Sequence, residues 1–139
     1  MNIRTLEDME RLEKLEELIL ELQDISGMGA IIIVEGRKDV ESLRSLGING
    51  EIKLSSQQPL IDITEQLSRC GKDIVILTDW DRKGGMVARK MIDYLQAYGI
   101  IPNTDIRGRI RFLVKKRIKD IESLSKYMGK LRYEMHGTV

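Results

Sequence analysis

The sequence predicts an α/β fold: a compact open parallel sheet of about four strands with helices on both faces, extended by an N-terminal and a C-terminal helix. Three observations carry that reading. Short β-branched runs, chiefly Ile31-Ile32-Ile33-Val34 and Ile74-Val75-Ile76, alternate with longer segments in which apolar residues return every three or four positions. Glycine or proline stands at most of the junctions, as in Ser26-Gly27-Met28-Gly29, Gly47, Pro59 and Gly71. Both β-branched runs also lead into acids: Glu35 after the first, Asp79 and Asp81 after the second.

In chain order, Met9, Leu12, Leu15, Ile19 and Leu22 give residues 5–24 one apolar helical face, which has to be covered by the domain or by a second copy of the chain. A first strand at about 30–35 leads into a helix over 37–46 that Gly47 stops, and Asn49-Gly50 turns the chain into a short strand, Glu51-Ile52-Lys53-Leu54. Pro59 suits the first turn of a helix reaching about residue 69, with Gly71 past its end. The second acid-bearing strand covers 73–78, and Val87, Met91, Leu95 and Tyr98 mark a helix over 86–98. Arg109 to Val114 reads as a final strand, after which Ile121, Leu124, Met128, Leu131 and Met135 fall at helical spacing. No repeat or linker divides the chain, so residues 1–27 are expected to form a helix lying on a single domain of residues 28–139.

A chain of 139 residues suits one hydrophobic core. Its 42% hydrophobic and 32% charged content is that of a globular protein, and the scarcity of aromatics leaves Ile, Leu, Val and Met to fill the interior. No apolar run approaches the roughly 18 residues of a membrane span, and Met1-Asn2-Ile3-Arg4-Thr5-Leu6-Glu7 lacks a signal-peptide core, so a cytoplasmic location without a membrane partner is expected. Cys70 has no disulfide partner, and one Cys with one His136 cannot build a zinc site, so any metal would be held by oxygen. The net charge of +1 hides a gradient. Residues 1–24 carry three cations against eight acids, whereas residues 105–139 carry ten against four. A basic end on a balanced domain points to a polyanion, with a plain solvated face as the alternative.

In an open parallel sheet, ligands collect beyond the carboxyl ends of the strands, so Glu35, Asp79 and Asp81 can converge from distant sequence. Carboxylates gathered in one crevice repel one another, and a hard divalent cation is the natural counter-charge. Residues i and i+2 at a strand end can face the same side, which lets Asp79 and Asp81 share an ion. Gly36 and Gly84 open helices whose free N–H groups can hold a phosphate, while Lys38, Arg82 and Lys83 flank the crevice. On a final strand, Arg107, Arg109 and Arg111 would share one face suited to phosphate-backbone contact. Asp39 reads equally well as a helix first-turn residue favoured by the dipole, and Trp80 reads as packing rather than base stacking.

Glu35-Gly36 with Lys38-Asp39, followed roughly forty residues on by Asp79-x-Asp81-x-x-Gly84, resembles the Toprim domain of primases, topoisomerases, OLD-family nucleases and recombination mediators. The likeness spans about residues 28–125. An Asp-x-Asp after a strand also suits haloacid-dehalogenase phosphatases, but those need Thr or Val where Lys83 stands, and they lack a preceding strand-acid motif. The resemblance implies that Glu35 serves as general acid or base near the metal, and that Glu35, Asp79 and Asp81 hold one or two Mg²⁺ (or Mn²⁺) ions. It also implies a nucleic-acid partner, RNA or DNA. No ATP-binding loop, cysteine cluster or tyrosine-bearing domain accompanies the motifs, so the chain resembles the small stand-alone Toprim proteins, among which the maturation nuclease for 5S ribosomal RNA is the nearest in architecture. Lys119-Asp120-Ile121-Glu122-Ser123-Leu124 resembles a segment that follows the last strand in such proteins. Two function classes are left open. One is a Mg²⁺-dependent nuclease or nucleotidyl-transfer enzyme; the other is a non-catalytic binding module, acting as a homodimer or within a larger processing complex.

Overall fold

A computed structural model describes residues 3–136. The sheet has three parallel strands, β1 (Ile31–Val34), β2 (Ile52–Leu54) and β3 (Ile74–Ile76), in the order β2-β1-β3. Six helices surround it: α1 (Ile3–Gly27), α2 (Arg37–Ser45), α3 (Leu60–Cys70), α4 (Arg82–Gln96), α5 (Asp105–Val114) and α6 (Leu124–His136). Because side chains alternate along a strand, β1 serves two interiors. Ile32 and Val34 face a larger core built with α1, α2, α5 and α6; Ile31 and Ile33 face a smaller one closed by α3 and α4. All four side chains are buried, which accounts for an unbroken apolar run where a half-exposed strand would alternate.

Local rules explain most boundaries. Gly71 takes φ +67° at the end of α3, the left-handed conformation that a helix C-terminus commonly needs. Asp81 caps α4 by accepting the Gly84 N–H at 2.7 Å, so that helix begins at Arg82, four residues before the apolar stripe alone suggests. Leu12, Leu15, Leu18, Ile19 and Leu22 sink one face of α1 into the larger core, against α5 and α6. The acidic outer face of α1 meets the basic C-terminal helices: Glu16 pairs with Arg132 at 3.0 Å and Glu21 with Arg109 at 3.1 Å. Part of the charge gradient is therefore neutralised within the fold. Among the described residues, no helix is long and apolar enough to cross a membrane.

One element differs from the expectation. Residues 109–114 are not a strand but the second half of α5, and the place of a fourth strand is taken by a single parallel bridge between Val75 and Asn103. The physical reason lies in Asn103. Its backbone exchanges hydrogen bonds with Ile74 and Ile76, and its side-chain oxygen then accepts the N–H groups of Asp105 and Ile106, so the chain turns into a helix before a strand can extend. Ile106, Ile110 and Val114, spaced by four, fill the core. Consequently Arg107, Arg109 and Arg111 do not share a face: Arg107 and Arg111 are neighbours one turn apart, and Arg109 points toward α1.

Since Leu15 is fully buried and Leu20 is 59% exposed on the same helix, Leu15→Ala should cost about 2–5 kcal/mol in denaturant unfolding. Leu20→Ala should stay within about 0.5 kcal/mol of the parent. Equal losses would mean that α1 is not seated on this core.

Candidate functional site

From β1, the chain crosses through α2 on the α1 face to β2, then through α3 on the opposite face to β3. The segments that leave β1 and β3 turn to opposite faces, into α2 and α4, which leaves the carboxyl ends of those strands uncovered. A cleft of about 670 Å³ opens there, and Glu35, Gly36, Lys38, Asp39, Asp79, Asp81, Lys83 and Glu122 are among its walls.

The carboxylates are tied to the backbone one by one. Glu35 Oε2 accepts the Asp79 N–H at 2.9 Å, Asp79 Oδ1 accepts the Ile121 N–H at 3.0 Å, and Asp81 Oδ1 accepts the Gly84 N–H at 2.7 Å. Each group thus commits one oxygen to a fixed donor, and no second oxygen takes a backbone donor among the described residues. Asp39 is buried at the α2 start, where its Oδ2 accepts the Gly36 N–H at 3.0 Å. Glu122 is exposed and sits 3.8 Å from Lys38 Nζ. Among the described residues, no three His, Cys, Asp or Glu side chains come together as a closed ligand set. The arrangement is an open cleft of hard oxygen donors.

Electrostatic tension concentrates on Asp79. Burial first, then Glu35, close enough to share a proton, and the charge of Asp39 raise its carboxyl to about 7 against the pull of the Ile121 N–H. Asp39 is raised as well, chiefly by burial, against the pull of the Gly36 N–H. The main cation inside this region is Arg107, whose Nε donates to Thr78 O at 2.8 Å and whose Nη2 donates to Asp79 O at 2.6 Å. Burial and Arg111 lower its affinity for the proton, while Glu35, Asp79 and Asp81 favour its charge. Arg107 is therefore a clamp on the end of β3, with its guanidinium turned to the backbone. Arg109 is engaged by Glu21 and Asp105, which leaves Arg111, likewise exposed, without an ion-pair partner among the described residues. Lys38 and Lys83 line the cleft, and Arg82 is exposed at the start of α4.

Gly84 does something other than offer a free N–H. A Cβ there would stand 1.9 Å from the carbonyl oxygen of Asp79, so the first turn of α4 packs directly on the backbone of the acidic loop. Thr78, fully buried, fastens the same contact by donating its hydroxyl to Gly84 O at 2.8 Å. Trp80, between the two aspartates, packs against the larger core and donates its indole N–H to Ile118 O at 2.9 Å.

Some participants are given no site role by the sequence reasoning. Ser55 and Ser56 follow β2 just as Glu35 follows β1, so the strand-end rule that finds the acids applies to them as well. Ser56 Oγ donates to Glu35 O at 2.6 Å. Asp39 carries a signal in its position three residues after Gly36, the spacing of a helix-start side chain reaching back to the cap N–H. Glu122 stands in the segment 119–124 that the resemblance picks out, and it reaches the cleft because Ile121 is anchored to Asp79.

A doubly wound sheet with paired acids at its switch point defines a class, and the comparisons agree: the family model described as the Toprim domain matches residues 30–113. Similar chains include a UPF0292 protein of Methanosarcina barkeri, 50% identical with 88% of this chain and 85% of that one covered. Another is a UPF0292 protein of Methanocaldococcus jannaschii, 42% identical over 87% of this chain and 94% of its own. The chain belongs to the Toprim family, and within it to the UPF0292 proteins. Among solved structures, a protein from Aquifex aeolicus superposes with a TM-score of 0.67 at 29% identity, covering 78% of this chain and 96% of that one.

Two measurements check the site's construction. The folded protein holds a proton on Asp79 up to about 7, while the unfolded chain releases it near the ordinary aspartate value, so this group makes stability fall as pH rises through that window and level off above it. In EDTA, Asp79→Asn should flatten the melting temperature between about pH 4 and 7 and leave the variant at least as stable as the parent at pH 8; an unchanged pH profile would contradict the shift. Gly84→Ala should lower the melting temperature strongly, whereas Gly85→Ala, with nothing within 4 Å of its Cβ, should hold or raise it.

Proposed function

We propose that the protein carries out divalent-metal-dependent phosphodiester chemistry on nucleic acid, as a small nuclease of the RNA-processing type or a nucleotidyl-transfer enzyme. The observation that supports this best is the meeting of Glu35, Asp79 and Asp81 in one cleft at the switch point of the sheet. Their donor set is carboxylate oxygen throughout, which fits Mg²⁺ or Mn²⁺ bound by one or two carboxylates, with water and substrate phosphate completing the shell. Asp79 and Asp81 are the proposed main ligands of one or two ions, with Glu35 beside them. A bound ion supplies neutralisation of the charge that develops on phosphate oxygens.

The remaining roles belong to the chain itself. Glu35 moves a proton at the attacking or the leaving oxygen, as general base or acid. Lys38, Arg82, Lys83 and Arg111 draw the substrate phosphates in, and Gly36 lets the backbone approach them closely. Gly84 and Arg107 keep the acidic loop in place through the contacts already described. Arg109 belongs to the same basic helix, with its charge engaged by Glu21. A second reading, a non-catalytic binding module, is favoured by one observation: no three-ligand set stands assembled among the described residues.

The deciding assay offers structured RNA, single-stranded DNA and duplex DNA to the full chain with Mg²⁺ or Mn²⁺. Metal-dependent cleavage is expected, and Glu35→Gln should remove turnover while nucleic-acid binding stays close to the parent's. Asp79→Asn with Asp81→Asn should remove turnover together with the heat of Mg²⁺ binding in calorimetry. A parent that binds nucleic acid with a steep salt dependence and cleaves nothing supports the binding module instead.

A further inference from the structure

Beside the acidic cleft lies a second feature that the catalytic reading does not use. The loop joining α5 to α6 begins Lys115-Lys116-Arg117-Ile118-Lys119, and all four of its cations are exposed. Among the described residues, none of the four has an ion-pair partner, unlike Arg109 and Arg132 on the flanking helices. A free run of like charge would normally spread away from itself. Here it is fastened: the Trp80 indole donates to Ile118 O at 2.9 Å, and the Ile121 N–H donates to Asp79 Oδ1 at 3.0 Å. The residues that fasten it are the two that open the acidic motif after β3, so the loop is held at a fixed place on the rim of the cleft. Phe112, the only Phe of the chain, stands one turn before the loop, 74% exposed, with Lys115 Nζ 5.9 Å from its ring centre.

We propose that loop 115–119 and Phe112 form a binding site for an unpaired stretch of nucleic acid, which leads its phosphodiester backbone toward the acidic cleft. The inference rests on the function proposed above and adds where the strand lies and that it is single-stranded. Exposed cations in series can meet the phosphates of a phosphodiester backbone, and neutralising it releases counterions. An exposed ring next to them offers a face on which a base can stack, something a duplex keeps inside its own stack. The cleft itself is lined by five carboxylates, so a polyanion cannot be held there by charge alone; its attraction has to come from the rim.

The test measures fluorescence anisotropy of labelled single strands of about 12 nucleotides, RNA and DNA in separate arms, with the full chain in EDTA so that cleavage plays no part. Joint replacement of Lys116, Arg117 and Lys119 by Ala should weaken binding about ten- to a hundredfold at low salt and reduce the slope of log affinity against log salt by about 2, since each single-strand phosphate contact contributes about 0.7. Phe112→Ala should weaken binding about five- to a hundredfold while leaving that slope unchanged, because stacking carries no charge. Arg89→Ala with Lys90→Ala, exposed on the outer side of α4, should change neither. Binding of the parent should also perturb the emission of Trp80, the only Trp. If the parent binds and the loop variant binds equally well, or if duplex binds more tightly than single strand, this inference is overturned while the catalytic proposal stands. A parent that binds no nucleic acid in either arm overturns both.

Discussion

The hydrogen bond from the Asp79 amide to the Glu35 carboxylate joins two strand ends that lie 44 residues apart, and the rest of the site is arranged around it. It can form only if β1 and β3 are neighbours in register and if the chain leaves β3 along one defined path. The register is set by the paired isoleucines, Ile31 with Ile74 and Ile33 with Ile76, which belong to the same small core. The path is set by the contact of Gly84 on the Asp79 carbonyl, because any side chain at that position would push α4 away from the loop. Thr78, Asp81 and Arg107 each satisfy a further backbone group of the same short segment. A loop bearing two carboxylates is thereby tied down through its own backbone groups.

Rigidity has an electrostatic cost at this spot. Asp79 and Asp39 are partly desolvated and face Glu35, so their charged forms are disfavoured in the unliganded protein. The fold answers with a cation whose guanidinium is turned to the backbone: Arg107 offsets the local negative potential while its donors are used by the Thr78 and Asp79 carbonyls. That leaves the carboxylate oxygens themselves unpaired with arginine, which is the condition under which a small hard ion can compete for them. An arginine forked onto Asp79 or Asp81 would have stabilised the acids and filled the same space.

The parts legible in the sequence were those governed by short-range rules. Ile31 to Val34 and Ile74 to Ile76 announce buried strands, Gly71 announces a helix end, and the acids after each strand announce the cleft. Arg109 to Val114 misled because basic and apolar residues alternate there with strand period, while the helical spacing of Ile110 and Val114 is completed only by Ile106, outside that window. What decides between them is Asn103, whose side chain caps the helix while its backbone is still bridged to β3, and no pattern within the segment carries that information. The roles of Arg107 and Gly84 were hidden for a related reason. A half-buried arginine bonded to carbonyls and an exposed one facing phosphate are the same letter, and a glycine needed for close packing reads like a glycine at a turn.

The placement of Trp80 links these two halves of the argument. Although it stands between two cleft aspartates, Trp80 packs as its sequence reading has it: its ring lies against the larger core and its N–H holds Ile118. With Asp79 bonded to Ile121, the two consecutive residues after Thr78 reach across to the same segment beyond α5. Cleft and basic loop are thus one mechanical unit, although they come from opposite ends of the domain sequence. Any ligand that draws on the free oxygen of Asp79 acts on a side chain whose other oxygen fixes the start of residues 121–124, and through it the position of Glu122 and Lys119. The contacts that hold the acidic loop are thus the same ones that hold the basic segment beside it, Trp80 to Ile118 and Asp79 to Ile121.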